Sequence, residues 1–83
     1  MAEKLIGTVN HWFGQIGVAG IALTGKLAIG DRIHILGHTS DFEQEITSMQ
    51  IMQQDVSEAG AGDDVGVKVQ SRVRRGDRVY KVT

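Results

Sequence analysis

Apolar and polar positions alternate along most of this chain, and Gly-Asp pairs interrupt the alternation at three places. Val65, Val67 and Val69 point to one side of an extended segment, with Gly66, Lys68 and Gln70 on the other. Gly60 and Gly62 stand just before it, and glycine takes the positive φ angles that sharp reversals need. Gly30-Asp31 leads in the same way into Arg32-Ile33-His34-Ile35. Gly76-Asp77 leads into Arg78-Val79-Tyr80-Lys81-Val82. The pattern predicts turns that each launch a strand.

The other segments read as follows. Lys4 to Phe13 is a strand, with Leu5, Gly7, Val9 and His11 on one face and Ile6, Thr8, Asn10 and Trp12 on the other. Both faces carry apolar residues, so alternation does not choose the inner one. Gly14-Gln15-Ile16-Gly17 is a turn, and Val18 to Leu23 is the second strand. Its small Gly20 and Ala22 suit close approach to a neighbouring backbone. Thr24-Gly25-Lys26 breaks it, Leu27-Ala28-Ile29 enters the Gly30-Asp31 turn, and Arg32 to Leu36 is the third strand. Gly37 to Asp41 is a polar loop. Phe42 to Gln54 has two readings. Phe42, Ile46 and Met49 are spaced like one face of a helix, whereas a strand needs one extra residue near Thr47-Ser48. Asp55 to Asp64 is a turn region with Val56 and Ala59 beneath. Val65 to Gln70 is the fifth strand, Ser71 to Gly76 a basic loop, and Asp77 to Val82 the last strand. Short strands divided by regular turns predict an all-β barrel or sandwich.

Composition narrows this picture. Eighty-three residues make one domain, 1–83, whose first residues, 1–3, are expected to be loose. A hydrophobic share of 41% with few aromatics implies a core of Val, Ile and Leu. The absence of cysteine excludes disulfides and thiolate metal sites and fits a cytoplasmic protein. No apolar run follows Met1-Ala2-Glu3-Lys4, so neither a leader nor a membrane span is expected.

The net charge of −1 conceals a segregation. Asp41, Glu43, Glu45, Asp55, Glu58, Asp63 and Asp64 form an acidic stretch that holds no base. Beyond it stand Lys68, Arg72, Arg74, Arg75, Arg78 and Lys81 with the single acid Asp77. Either the two segments attract each other across a solvated surface, or the basic one meets an anionic partner.

Few motifs point to chemistry. Gly20 to Lys26 has the spacing of a phosphate loop, but Leu27 replaces the hydroxyl that would hold magnesium and no helix follows. Gly60-Ala61-Gly62 precedes a strand and two acids, which argues against a dinucleotide site. His34, His38 and Asp41 are the remaining candidates for a metal, without a compact ligand spacing. No serine carries a nucleophile motif. The arginines of Ser71 to Arg78 match phosphate geometry, and Trp12 is either a base-stacking group or a cap on the core.

Ile6-Gly7-Thr8-Val9, Gly17-Val18-Ala19, Leu27 to Ile35, Ala59 to Val67 and Arg75 to Val79 together resemble the second domain of elongation factor Tu. Gly37 to Phe42 and Ser48 to Ile51 are similar to small elongation-factor-like proteins. The carboxy-terminal barrel of the U32 peptidase-like family, which works on transfer RNA modification, is similar too. The resemblance implies a closed six-stranded Greek-key barrel of the translation-factor domain 2 type, with Phe42 to Gln54 as strand. It implies binding to RNA or the ribosome without GTP hydrolysis, cofactor or catalysis. Lys68, Arg72, Arg74, Arg75 and Arg78 would hold phosphates, and His11, Trp12 or His38 would touch bases. The alternative is a protein-interaction barrel that docks through Phe42 and Met49 to Met52 on a larger enzyme, such as a U32 peptidase-like protein.

Overall fold

The first strand shows why alternation left its inner face undecided. In the computed structural model, which describes residues 2–83, β1 (Glu3–Phe13) turns Ile6, Val9 and Trp12 toward the interior. These positions are three apart, and an uninterrupted strand cannot place them on one face. Two bulges reconcile them. Against β10 (Arg78–Val82) the register slips between Leu5 and Gly7. Against β2 (Val18–Leu23) it slips between Val9 and His11. Each slip inserts a residue, turns the following side chains over and bends the strand.

Between these elements lie β3 (Leu27–Ala28), β4 (Arg32–Leu36), β5 (Asp41–Glu45), β6 (Met49–Ile51), β7 (Gln54–Asp55), β8 (Glu58–Ala59) and β9 (Asp64–Lys68). Eight of them form one sheet in the order β5-β4-β10-β1-β2-β9-β6-β7, and β3 pairs with β8 in a second. All pairings are antiparallel. The fold is all-β, but the expected closed six-stranded barrel is not what forms. The large sheet ends at β5 and β7, and neither sheet closes on itself.

The reason lies in residues 42–54, which are not one strand. After β5 the chain bends inward at Ile46, which is fully buried. The Ile46 backbone pairs with the Gly30-Asp31 turn: its N–H donates to Asp31 and its carbonyl accepts from Gly30, both at 2.8 Å. The inward direction of Phe42, Ile46 and Met49 therefore comes from a bend that resets strand parity, not from a helix. β6 then reaches β9 through Met49 opposite Val67 and Gln50 opposite Gly66. Beyond that point, Gln44 takes the place of a missing strand. Its Nε2 donates to the Lys68 carbonyl and its Oε1 accepts from the Gln70 N–H, both at 2.8 Å. A side-chain amide offers the same donor and acceptor as a peptide group, so it serves the open seam.

Val65, Val67 and Val69 face inward as their alternation predicts, against Ile21, Ile33, Ile35, Leu27 and Val79 among others. The Gly-Asp turns share one construction. In Ala28–Asp31, Gly60–Asp63 and Arg74–Asp77, the Asp N–H donates to the first residue's carbonyl, at 3.0 to 3.1 Å. The Asp carboxylate accepts from the first residue's N–H, at 2.9 Å in each. The glycine at the third position has φ of +94°, +92° and +96° respectively, as a type II turn requires.

At the chain start, the expected loose stretch 1–3 falls partly on Met1, outside the described residues. Glu3 pairs with Val82, and the Ala2 carbonyl accepts from the Thr83 N–H at 2.9 Å. Among the described residues, no helix is long and apolar enough to cross a membrane.

Candidate functional site

The basic loop is built around two inward anchors. Val73 and Asp77 are buried, and Arg72, Arg74, Arg75 and Arg78 between and beside them are exposed. Val73 is held by the apolar core. Asp77 is held by polar contacts. Its carboxylate accepts from the Arg74 N–H, and its backbone carbonyl accepts from the Val9 N–H at 2.8 Å. The neighbouring loop of residues 37–40 leans on it. A Cβ at Gly37 would come within 1.9 Å of the Asp77 carboxylate, so this approach needs glycine. Ser40 Oγ donates to the Arg72 carbonyl at 3.4 Å. Ser40 and Asp77 are the buried polar or charged residues among those described, and both fasten this junction.

The two loops enclose a cleft of about 350 Å³ lined by Leu36, Gly37, His38, Gly76 and Arg78. His38 thus meets Arg78, as the phosphate-and-base reading of these residues needs. The other candidates lie elsewhere. Lys68 lines a separate cleft at the open seam, beside Glu43, Gln44 and Glu45. Trp12 packs against the core. The His11 ring rests on Phe13, with centroids 4.2 Å apart, in the hairpin between β1 and β2.

The acidic stretch does not neutralise the arginines. Among the described residues, ion pairs join Arg32 to Glu43, Lys81 to Asp31, and His34 to both Glu3 and Asp41. None involves Lys68, Arg72, Arg74, Arg75 or Arg78.

His34 and Asp41 do come together, without His38. The His34 Nε2 lies 2.5 Å from Asp41 Oδ1, and its Nδ1 faces the Glu3 carboxylate at 2.9 Å. Both ring nitrogens donate at once only in the imidazolium form. The Asp41 hydrogen bond raises the His34 pKa above its ordinary value. Partial burial opposes this, and Glu3 adds to the rise. The arrangement ties β1, β4 and β5 together. It does not make a metal centre, since the two carboxylates face opposite ring nitrogens. Among the described residues no group of His, Asp and Glu is placed to hold a metal.

The expected protein-docking residues also need correction. Met49 is a core residue and Phe42 packs on the core, whereas Met52 stands 90% exposed in the turn between β6 and β7. The fastening of the basic loop was not anticipated. The repeated Gly-Asp signature marked Asp77 as a turn residue, but Ser40 and Gly37 carried no signal of their own.

Comparison with known proteins replaces the translation-factor assignment. No protein-family model matches the chain. An uncharacterized protease of Methanocaldococcus jannaschii is 46% identical over 76 residues, which are 90% of this chain and 19% of that protein. A collagenase of Porphyromonas gingivalis is 31% identical over 81 residues, 95% of this chain and 22% of the collagenase. The chain therefore spans about a fifth of the length of these curated relatives. Among solved structures, the fold matches the C-terminal domain of a chain described as a U32 peptidase of Geobacillus thermoleovorans. The TM-score is 0.90 at 18% identity, over 96% of this chain and 93% of that one. A selenomethionine variant of the same domain gives 0.87, also at 18% identity, over 92% of this chain and 96% of that one.

The likeness to elongation factor Tu rested largely on the Gly-Asp turns. The structure shows that those residues serve the reversal itself, so they report a strand arrangement and not a ribosomal role. The likeness to the U32 carboxy-terminal domain is the one the comparisons support, and they lend no support to RNA or the ribosome as partner. In fold, the chain is similar to a U32 peptidase C-terminal domain, and in sequence it is similar to one segment of larger proteases.

Proposed function

We propose that this chain is a non-catalytic module that works by docking on a larger U32 peptidase-like protein. One observation carries this reading. Identity of 46% runs through 90% of this chain yet occupies 19% of the protease it matches. A segment of that kind contributes a folded surface and leaves the bond-breaking groups to the rest of the protein. The internal chemistry supports it. The polar groups with the most developed surroundings, His34, Ser40 and Asp77, direct their hydrogen bonds to the fold.

The test mixes this chain with the M. jannaschii protease from which the matching segment has been deleted. Co-elution in size-exclusion chromatography at micromolar concentration is the expected result. Separate elution of the two at all concentrations would remove the proposal. A change in the protease's activity on addition of the chain would show that docking serves the reaction and not merely assembly.

A further inference from the structure

We infer that the surface formed by Arg72, Arg74, Arg75, Arg78, His38 and Leu36 docks an acidic polypeptide segment of a protein partner. The inference deepens the docking reading above by naming the face used and the chemistry it recognises.

Four features of the molecule converge on it. First, the arginines are exposed and take no part in the ion pairs of the described residues, although the chain carries an acidic stretch of its own. Their charge is available to a partner. Second, the loop is anchored at several points. The buried Asp77 and Ser40 pin it to β1 and to the 37–40 loop, and Val73 plugs into the core. A solvated loop has no need of such anchoring, whereas a binding loop gains from it because ordering costs are met on folding. Third, the cleft between the loops is not purely cationic. Leu36 is 38% exposed in its wall, and nothing stands within 4 Å of the position a Cβ would take on Gly76. An apolar side chain flanked by carboxylates fills such a cleft, with Leu36 beneath it and Arg78 and His38 beside it.

Fourth, the basic area is narrow, which favours a peptide over a nucleic acid. Across β4 from Arg78, Leu36 pairs with Asp41 on β5, where Glu43 and Glu45 follow. Two strand spacings place Asp41 roughly 10 Å from Arg78, about one Debye length at 0.1 M salt. A polyphosphate laid across the sheet runs off the arginines onto Glu45 and the carboxylates already paired to His34 and Arg32, while a short acidic segment stays on the loop.

The test is an amide-shift titration of the labelled chain with a ten-residue glutamate-rich peptide bearing one central leucine. A leucine-free version and an RNA hairpin of equal charge serve as competitors. Shifts confined to Leu36–His38 and Arg72–Arg78 are expected. Reversal of Arg75→Glu and Arg78→Glu together should weaken binding about tenfold or more, with unchanged dispersion elsewhere showing an intact fold. Loss of the leucine should weaken it less. Shifts at other residues, no shifts at millimolar peptide, or tighter binding of the RNA at the same residues would each overturn the inference. The double reversal in the co-elution experiment separates the two proposals. If the wild-type chain co-elutes with the truncated protease and the variant does so equally well, docking stands and this face is wrong. If the wild-type chain elutes alone, docking on that protein fails, and the peptide titration still decides the face.

Discussion

The turn at Arg74–Asp77 and the turn at Met52-Gln53 reverse the chain by contrasting means. The first uses residues suited to it: glycine where φ is +96°, and aspartate where a carboxylate closes the loop onto the Arg74 N–H. The second is a two-residue hairpin between Ile51 and Gln54, and its φ angles of +50° and +66° fall on Met52 and Gln53. Such a hairpin favours Asn-Gly, because side chains with a Cβ are strained by about 1–2 kcal/mol in the left-handed region. The well-suited turn lies over a polar junction and holds four arginines in place. The ill-suited one is closed by the short β6–β7 ladder, the Val56 N–H donating to the Met49 carbonyl and the Gln50-to-Asp55 side-chain bond, both at 3.0 Å, and leaves Met52 in solvent. Reversals that match their residues are fastened by backbone and side-chain hydrogen bonds and can carry a surface. Those that do not are tolerated where the backbone is exposed and little else depends on them.

The largest expected effect comes from breaking the junction under the first turn. Gly37→Ala places a Cβ 1.9 Å from Asp77 Oδ1 and 2.4 Å from its Cγ. That carboxylate is anchored to backbone and cannot swing away without losing its hydrogen bond. Urea unfolding should show a loss of about 2–4 kcal/mol. A loss below about 0.5 kcal/mol would mean that the two loops separate easily and that the platform is not rigid.

Next comes a comparison within the family of Gly-Asp turns. Asp77→Ala should cost about 2–3 kcal/mol, since it removes a buried carboxylate that closes the turn onto the Arg74 N–H. Asp63→Ala removes the same bond from an aspartate that is only half-buried and should cost about 1 kcal/mol. Equal losses in paired melts would show that burial at the basic loop adds nothing.

The second turn should respond in the opposite direction. Met52→Asn with Gln53→Gly gives the hairpin the residues its φ angles favour. The relief of strain is partly offset by the flexibility glycine adds to the unfolded chain. A net gain of about 0.5–1 kcal/mol is expected. A loss would show that Met52 makes a contact that outweighs its backbone strain.

The contrast between the turns also explains what the sequence revealed. Val18–Leu23 and Arg32–Leu36 are strands with the bounds their alternation predicts, and Val65, Val67 and Val69 face the core. Each depends on local period and on a glycine that fits its turn. The failures depend on distant partners. The parity of Ile6, Val9 and Trp12 is set by bulges against β10 and β2, and no local pattern announces them. The open seam depends on Gln44 finding Lys68 and Gln70, which lie about two dozen positions away. The Met52-Gln53 reversal carries no turn signal at all. At the candidate site, the basic loop was legible from the density of its arginines, and whether acids would pair with them was left open. Their fastening was not, because Gly37 and Ser40 gain their roles only when two loops meet.

The smallest expected effect concerns a fastening that neither turn uses and that depends on pH. His34 joins β4 to β5 through Asp41 and to the start of β1 through Glu3. Its pKa is raised in the folded chain, so the folded state binds the proton more tightly than the unfolded state. The stabilisation is therefore complete below the ordinary histidine value of about 6.5. It is lost as pH rises through the higher folded value. Melting temperature should fall by a few degrees or less between about pH 6 and pH 8, through this group alone. His34→Gln should flatten that slope. The slope should also shrink at high salt, because Glu3 and Asp41 are within reach of solvent. An unchanged slope in the variant would show that the two carboxylates do not act through His34. Amide shifts of Glu3 and Asp41 that titrate together with His34 would show that one proton holds both strands.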